Sequence, residues 1–297
     1  MRKMESIKMF KSVKELIAKC EAENKAIYEV MLEQEMAVTG LSAEAVYTQM
    51  NHNLETMEKA LEEGLAGVTS KTGLTGGDAV LMKAYIEKGQ ILAGDLVLDA
   101  VSKAVATNEV NAAMGKICAT PTAGSAGVVP GVLFSLKNRL QLSRQDMLNF
   151  LLTSGAFGFV VANNASISGA AGGCQAEVGS ASAMAAAAIV EAAGGTPQQS
   201  AEGFAICLKN MLGLVCDPVA GLVEVPCVKR NAAGASNAIV SADMALAGIE
   251  SRIPTDEVID AMYKIGQTMP SALRETGRGG LAGTPTGQRL KQQIFGD

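Results

Sequence analysis

The stretch that decides the fold runs Val178-Gly-Ser-Ala-Ser-Ala-Met-Ala-Ala-Ala-Ala-Ile-Val-Glu-Ala-Ala193. It is poor in Leu and Phe, and Glu177 and Glu191 bracket its apolar part. It is also too short to cross a membrane, because a spanning helix needs about 20 mostly apolar residues. A helix that is apolar on all sides is a buried one. The stretch therefore predicts a buried central helix in an all-α fold.

Amphipathic periodicity predicts further helices on both sides of this central helix. Apolar side chains recur every three to four positions over residues 42–63, 143–154 and 255–266. Ser42, Ser143 and Thr255 are the expected N-caps of these helices, and Asp256 suits the positive end of the last one. Gly64 and Gly266 are expected to end the first and the last.

Strand patterns are weak, and the segments between the expected helices are rich in glycine. These segments are residues 72–77, 120–127, 168–173 and 277–283. We expect one compact all-α domain over residues 1–297, with the glycine-rich loops converging on a functional site. Residues 1–40 are expected to form a peripheral helical arm, built on one charged helix from Val13 to Thr39.

Composition narrows the class of protein. The 297 residues are 48% hydrophobic and 19% charged, with no Trp and a net charge of −5. A negative chain does not favour nucleic-acid binding, which relies on Lys and Arg to neutralise phosphates. The charged N-terminus contains no signal-peptide core. We therefore expect a cytoplasmic protein, in a compartment that keeps thiols reduced.

Three cysteines lie in turn-rich stretches of the C-terminal half. They are found in Gly-Gly-Cys174-Gln, Leu-Val-Cys216-Asp-Pro and Val-Pro-Cys227-Val-Lys-Arg. Three thiolates are one fewer than the four that close a structural zinc or iron–sulfur site. The spacing matches no short metal-binding pattern, so separate buried or reactive thiols remain the alternative. For Cys20 and Cys207, and for Cys118 before the Thr-Pro-Thr loop, we favour a structural or incidental role.

The segments around these cysteines resemble the alpha chain of the iron–sulfur-dependent L-serine dehydratases. The matching stretches start at Asn108, Thr120, Asn164, Gly213 and Arg274, and include Gly-Gly-Cys-Gln-Ala-Glu-Val-Gly and Arg-Glu-Thr-Gly-Arg-Gly-Gly-Leu. They recur in order, and the resemblance spans residues 65–282. It implies that Cys174, Cys216 and Cys227 bind a [4Fe-4S] cluster. It also implies a lyase that converts L-serine to pyruvate and ammonia, with the open iron as a Lewis acid.

The resemblance implies a second subunit as well. A Ser-Ser-His stretch that the family carries in a beta chain or segment is absent here, so the beta chain of the same enzyme is the expected partner in a heterodimer. Single-chain members end in a cysteine that this chain lacks, which leaves the fourth ligand of the iron open. Cys174 precedes a predicted helix, whose N-terminus is expected to lower the pKa of the thiol. Lys229 and Arg230 offer positive charge nearby.

Two hydroxyl-rich segments are the predicted substrate-binding elements. In the first, Thr120, Thr122, Gly124 and Ser125 are expected to bind a carboxylate through hydroxyls and freed backbone N–H groups. In the second, the residues expected to orient the substrate or to bond to cluster sulfurs are Asn164, Ser166 and Ser168. A tight turn is the alternative for the first segment, and helix capping is the alternative for the second.

Lys71 is the predicted base or carboxylate partner, with an ordinary solvated loop lysine as the alternative. It also supports a second hypothesis, a pyridoxal-phosphate dehydratase that forms a Schiff base at Lys71. Two further hypotheses are a cysteine-cleaving lyase on the same cluster and a non-catalytic iron–sulfur sensor subunit. The only histidine, His52, is expected on a helix surface.

Overall fold

The computed structural model describes residues 9–89 and 91–296. Within these ranges the chain is all-α, as predicted, with isolated bridges but no strand. The first eight residues of the expected arm lie outside the described residues. The helices are α1 (Val13–Glu23), α2 (Ile27–Thr39), α3 (Ala43–Ala66), α4 (Asp78–Glu87), α5 (Asp95–Ala112), α6 (Val128–Arg139), α7 (Arg144–Asn164), α8 (Gly169–Gly172), α9 (Ser180–Ala192), α10 (Pro197–Lys209), α11 (Cys227–Leu246), α12 (Thr255–Thr268) and α13 (Pro285–Phe295).

Helix α9 is the centre of the fold, which confirms the prediction from the Ala-rich stretch. Its residues from Ser180 to Val190 are all buried. It packs against α6, α7, α10 and α11. The described part of the chain contains no helix that is both long and apolar enough to cross a membrane. The many alanines of α9 let these neighbouring helices pack closely against it.

Glycines mark the tightest of these contacts. A Cβ on Gly64 would lie 2.1 Å from the carbonyl oxygen of Ala106, so only glycine lets α3 approach α5 at this point. Gly127 meets Ala104 on α5 in the same way, also at 2.1 Å. The expectation that Gly64 ends its helix is wrong, because α3 continues to Ala66. The residue serves packing rather than termination.

The expected helix boundaries are partly right. The hydroxyls of Ser42 and Ser143 accept the predicted capping hydrogen bonds, but α7 extends beyond residue 154 to Asn164. The capping role expected for Thr255 is wrong, since this residue is already helical and its hydroxyl donates to the carbonyl of Ala201. Helix α12 also passes Gly266, whose lack of a side chain lets it pack against Gly172.

The single helix expected over residues 13–39 is wrong. The chain forms two helices, because Asn24 adopts a left-handed conformation with φ +50° and ends α1. The inner faces of both helices are buried, with Leu16 and Ile27 at 0% exposure. They pack against α7, α10 and α12 as part of the core, although a peripheral arm was expected.

Three helices of this body are capped by carboxylates from distant parts of the chain. Asp256 accepts the first N–H of α1 at 2.8 Å, Glu191 accepts that of α2 at 2.6 Å, and Glu109 accepts that of α4 at 2.8 Å. The first turn of a helix leaves such donors without partners inside the helix. Asp256 therefore stabilises α1 in addition to lying in the first turn of its own helix.

Candidate functional site

The three cysteines come from three separate segments. Cys174 begins the π-helical turn Gln175–Gly179 that leads into α9, and Cys227 is the first residue of α11. Cys216 lies in the segment between α10, which ends at Lys209, and α11. Cys174 and Cys216 are each 3% exposed, Cys227 is 8% exposed, and none of the three is in a disulfide.

Cys216 is anchored to the Arg-Glu-Thr-Gly motif through its backbone. Its N–H donates to the carbonyl of Leu273 at 2.9 Å, and its carbonyl accepts from the N–H of Glu275 at 2.6 Å. Glu275 has φ +62°, an unusual conformation for a residue other than glycine. This pairing brings a motif nearly sixty residues away to the side of a cysteine.

Burial dominates the electrostatics of the thiols. It raises the pKa of Cys174 to about 11 and that of Cys227 to about 12. The pKa of Cys216 is raised still further by burial and by the nearby Cys174 and Glu177. The expected lowering of the Cys174 pKa is wrong in sign, since burial outweighs the backbone N–H of Val178. A set of thiolates therefore needs added positive charge to exist here.

Arg230 supplies part of that charge, as expected. It lowers the pKa of both Cys174 and Cys227, although less than burial raises them. Its guanidinium also forms an ion pair with Asp217 at 2.8 Å and donates to the carbonyl of Val215 at 2.7 Å. The role expected for Lys229 is wrong, because its exposed side chain pairs with Asp78 at the start of α4.

Two carboxylates lie beside Cys216. Ligand atoms of Glu177, Cys216 and Glu275 are all within 4.8 Å of one another. Burial raises the pKa of Glu177, and the negative charge of Glu275 adds to the effect. Neither glutamate was singled out from the sequence as a functional residue. The available signal was the position of Glu177 in Gly-Gly-Cys-Gln-Ala-Glu, on the same turn as Cys174.

The first hydroxyl-rich segment, residues 120–127, lies against Glu177. The hydroxyl of Thr122 donates to the Glu177 carboxylate at 2.8 Å. Ser125 donates to the carbonyl of Thr120 at 3.1 Å, which gives it a role inside the loop. The hydroxyl oxygen of Thr120 is buried without a partner within the described residues. A Cβ on Gly124 would lie 3.3 Å from the Glu177 carboxylate.

Asn231 joins this loop to the helix that begins at Cys227. Its amide nitrogen donates to the carbonyls of Gly124 at 2.8 Å and Cys227 at 2.9 Å. Its amide oxygen accepts from the N–H of Gly127 at 3.0 Å. The side chain is fully buried, so its three hydrogen bonds fix the loop relative to the cysteine.

The second hydroxyl-rich segment is only partly directed toward the cysteines. Asn164 donates to the carbonyls of Lys11 and Val160, which bind it to the start of the chain and to α7. The hydroxyl of Ser166 accepts a hydrogen bond from the N–H of Ser168. Ser166 also lies near the loop that carries Cys174, because a Cβ built on Gly172 would be 3.8 Å from the Cβ of Ser166. Ser168 occupies the N-cap position of α8 without a side-chain capping bond.

Lys71 is exposed and borders a surface cavity next to α13. The following residue, Thr72, donates to both oxygens of Glu224 at 2.9 and 2.8 Å. Glu224 precedes Cys227 by three residues, so Lys71 lies on a loop tied to the cysteine segment. His52 is exposed on α3, as expected.

The profile of the family described as "Serine dehydratase alpha chain" matches residues 22–282. A probable L-serine dehydratase alpha chain of Bacillus subtilis is 73% identical over 288 residues, covering 97% of this chain and 96% of that one. The L-serine dehydratase alpha chain of Peptoniphilus asaccharolyticus is 43% identical, covering 97% and 99%. L-serine dehydratase 1 of Escherichia coli is 37% identical, covering 92% of this chain and 61% of that longer one. The chain belongs to the serine dehydratase alpha chain family.

Proposed function

We infer that this chain is the alpha subunit of an L-serine dehydratase, a lyase that forms pyruvate and ammonia from L-serine with a [4Fe-4S] cluster. The observation that carries the inference is the convergence of Cys174, Cys216 and Cys227, three buried thiols from distant segments, of which Cys174 lies close enough to raise the pKa of the other two. Thiolate ligands favour zinc, copper(I) and iron–sulfur clusters. The relatives named L-serine dehydratase supply the reaction.

Three buried thiols are a donor set that suits an iron–sulfur cluster. One zinc ion would bring its sulfurs to within about 4 Å of each other, since each Zn–S bond is about 2.3 Å long. Among residues 9–89 and 91–296, the group of three ligand atoms within 4.8 Å is Glu177, Cys216 and Glu275, and the three sulfurs form no such group. Cys174, Cys216 and Cys227 would hold such a cluster, which would supply a Lewis acid for the substrate C–O bond.

The chain's own residues prepare the site for an anionic substrate group. Arg230 places positive charge beside two of the thiols, and the segment 120–127 presents hydroxyl and backbone groups next to Glu177. We assign this segment to binding the serine carboxylate, with the unpartnered hydroxyl of Thr120 as one donor. Burial of the thiols excludes water from the side of the site that the protein covers.

A beta chain completes the enzyme in this proposal. The relatives from Bacillus subtilis and Peptoniphilus asaccharolyticus are named as alpha chains, and the E. coli relative extends well beyond the part that matches this chain. The single histidine is exposed on α3 and lines a surface cavity with Glu55 and Lys116. Groups that the alpha chain lacks are expected to come from the partner.

The pyridoxal-phosphate hypothesis is not supported by the fold. Those enzymes are built on alternating strands and helices, whereas the described residues contain helices and isolated bridges only. Lys71 is exposed at a surface cavity lined by Thr72, Leu74 and residues of α13. We therefore keep Lys71 as a loop residue of the cluster enzyme.

The test is an anaerobic assay of the purified chain, alone and with its beta chain. L-serine and L-cysteine are supplied in turn, and pyruvate, ammonia and sulfide are measured. We expect pyruvate and ammonia from L-serine only when both chains are present. Faster sulfide release from L-cysteine would identify the cysteine-cleaving lyase instead. No lyase activity with either substrate, although the cluster is intact, would identify a sensor subunit.

A further inference from the structure

The carboxylate of Glu177 connects three segments of the site. It accepts from the hydroxyl of Thr122 at 2.8 Å, the thiol of Cys216 donates to it at 3.9 Å, and the backbone of Gly169 packs against one of its oxygens. These partners belong to the 120–127 segment, to the start of α8 and to the segment after α10. Glu177 itself lies on the π-helical turn after Cys174.

Two glycines make room for this carboxylate. A Cβ on Gly169 would lie 2.5 Å from a Glu177 oxygen and 2.9 Å from the sulfur of Cys216. A Cβ on Gly124 would lie 3.3 Å from the other oxygen. Real Cβ atoms do not come as close as the Gly169 distances, so the backbone is shaped around Glu177 and Cys216. Because Gly124 and Gly169 both leave space for the Glu177 carboxylate, this side chain is a built part of the site.

We propose that Glu177 is a positioning residue, which fixes the Thr122 hydroxyl and its loop against Cys216 so that the loop meets the carboxylate of the bound substrate. The proposal rests on the proposed function and assigns Glu177 an action through Thr122 rather than direct contact with reacting atoms. Loss of the Glu177–Thr122 hydrogen bond releases the Thr122 side chain while Asn231 still holds the loop at Gly124 and Gly127, so substrate binding weakens. The thiols that hold the cluster stay in place, because their own backbone contacts do not involve this bond.

The experiment uses the cluster-loaded alpha chain with its beta chain and the variants Glu177→Gln, Thr122→Val and their combination. Each single change is expected to raise the KM for L-serine at least about tenfold, as loss of a hydrogen bond to a charged group does. The change in kcat is expected to be smaller. Because both residues act through one bond, the combination should match the larger single effect rather than the product of the two.

Two readouts separate positioning from a structural role. Iron and sulfide content should equal that of the unaltered protein, and the L-serine concentration that half-saturates the change in the cluster's spectrum should rise with KM. Glu191→Gln is the control, because this half-buried carboxylate caps α2 and affects the pKa of none of Cys174, Cys216 and Cys227. Its replacement should leave KM unchanged. Thr122→Val carries the test if Glu177→Gln does not fold.

An unchanged KM in Thr122→Val would overturn the proposal, as would effects that multiply in the combined variant. Iron loss in Glu177→Gln would overturn it too, by making Glu177 a support of the cluster itself. Absence of iron or of serine turnover in the unaltered protein is a different result, which refutes the proposed function and this proposal with it.

Discussion

Replacing Asn231 by Ala tests how the site is held together. The change removes three hydrogen bonds, to Gly124, Gly127 and Cys227, from a side chain with 0% exposure. Each is worth about 1 kcal/mol net, and the stranded N–H of Gly127 adds about 1–2 kcal/mol. We therefore expect the free energy of unfolding to fall by about 4–5 kcal/mol, a large part of the total of about 5–15 kcal/mol that a domain has.

Urea unfolding followed by circular dichroism measures this loss. Asn163→Ala is the matched control, because Asn163 is exposed on α7 and its amide donates only to the carbonyl of Phe159. Its replacement should change the free energy of unfolding by less than about 0.5 kcal/mol. A loss below about 1 kcal/mol in Asn231→Ala would refute the reasoning, since the loop would then be held without this amide.

Three further predictions concern helix packing, helix capping and the ionisation of a carboxyl group. Gly64→Ala should lower the free energy of unfolding by several kcal/mol, because the new Cβ would overlap the Ala106 carbonyl. Gly155→Ala, at a helical site with open space, should raise it by about 0.5–1 kcal/mol. Equal melting temperatures of the two variants would contradict this prediction. Asp256→Ala should lower the free energy of unfolding by about 0.5–2 kcal/mol through loss of the α1 cap, measured by urea unfolding; no loss would mean that Ser12 alone caps α1. Burial raises the pKa of Glu191 in the folded protein above its ordinary value of 4.5. The protonated group therefore contributes its full stabilisation below pH 4.5, and this stabilisation is lost as the pH rises through the folded-state pKa. The stability of the unaltered protein relative to Glu191→Gln should therefore be greater at pH 5 than at pH 8, and a pH-independent difference would contradict the assignment.

The sequence predicted the parts of the structure that depend on local patterns. The Ala-rich stretch correctly indicated the buried α9, and Ser42 and Ser143 correctly indicated helix starts. Short motifs also identified the three cysteines that the structure brings into electrostatic contact. Periodicity and capping act within a few residues, which is why such features can be read from the sequence alone.

The rest depends on contacts between distant segments. Nothing in the sequence near Gly64 indicates its close contact with the backbone of Ala106. The local pattern therefore predicts a helix end at a glycine that serves helix packing. The carboxylate of Asp256 caps a helix more than 200 residues away. Glu177 and Glu275 become neighbours only because Cys216 pairs with the Arg274 segment. The pKa of Cys174 likewise follows the burial that the whole fold imposes.

Iron and sulfide analysis of the anaerobically purified chain tests the central claim most directly. We predict about four irons and four sulfides per chain, as a cubane cluster requires, and loss of most of them when Cys174, Cys216 or Cys227 is replaced by Ser. Cys118→Ser, which changes a cysteine with no assigned ligand role, should retain the full content. A full complement of iron in all three single variants, or its absence from the unaltered chain, would contradict the account.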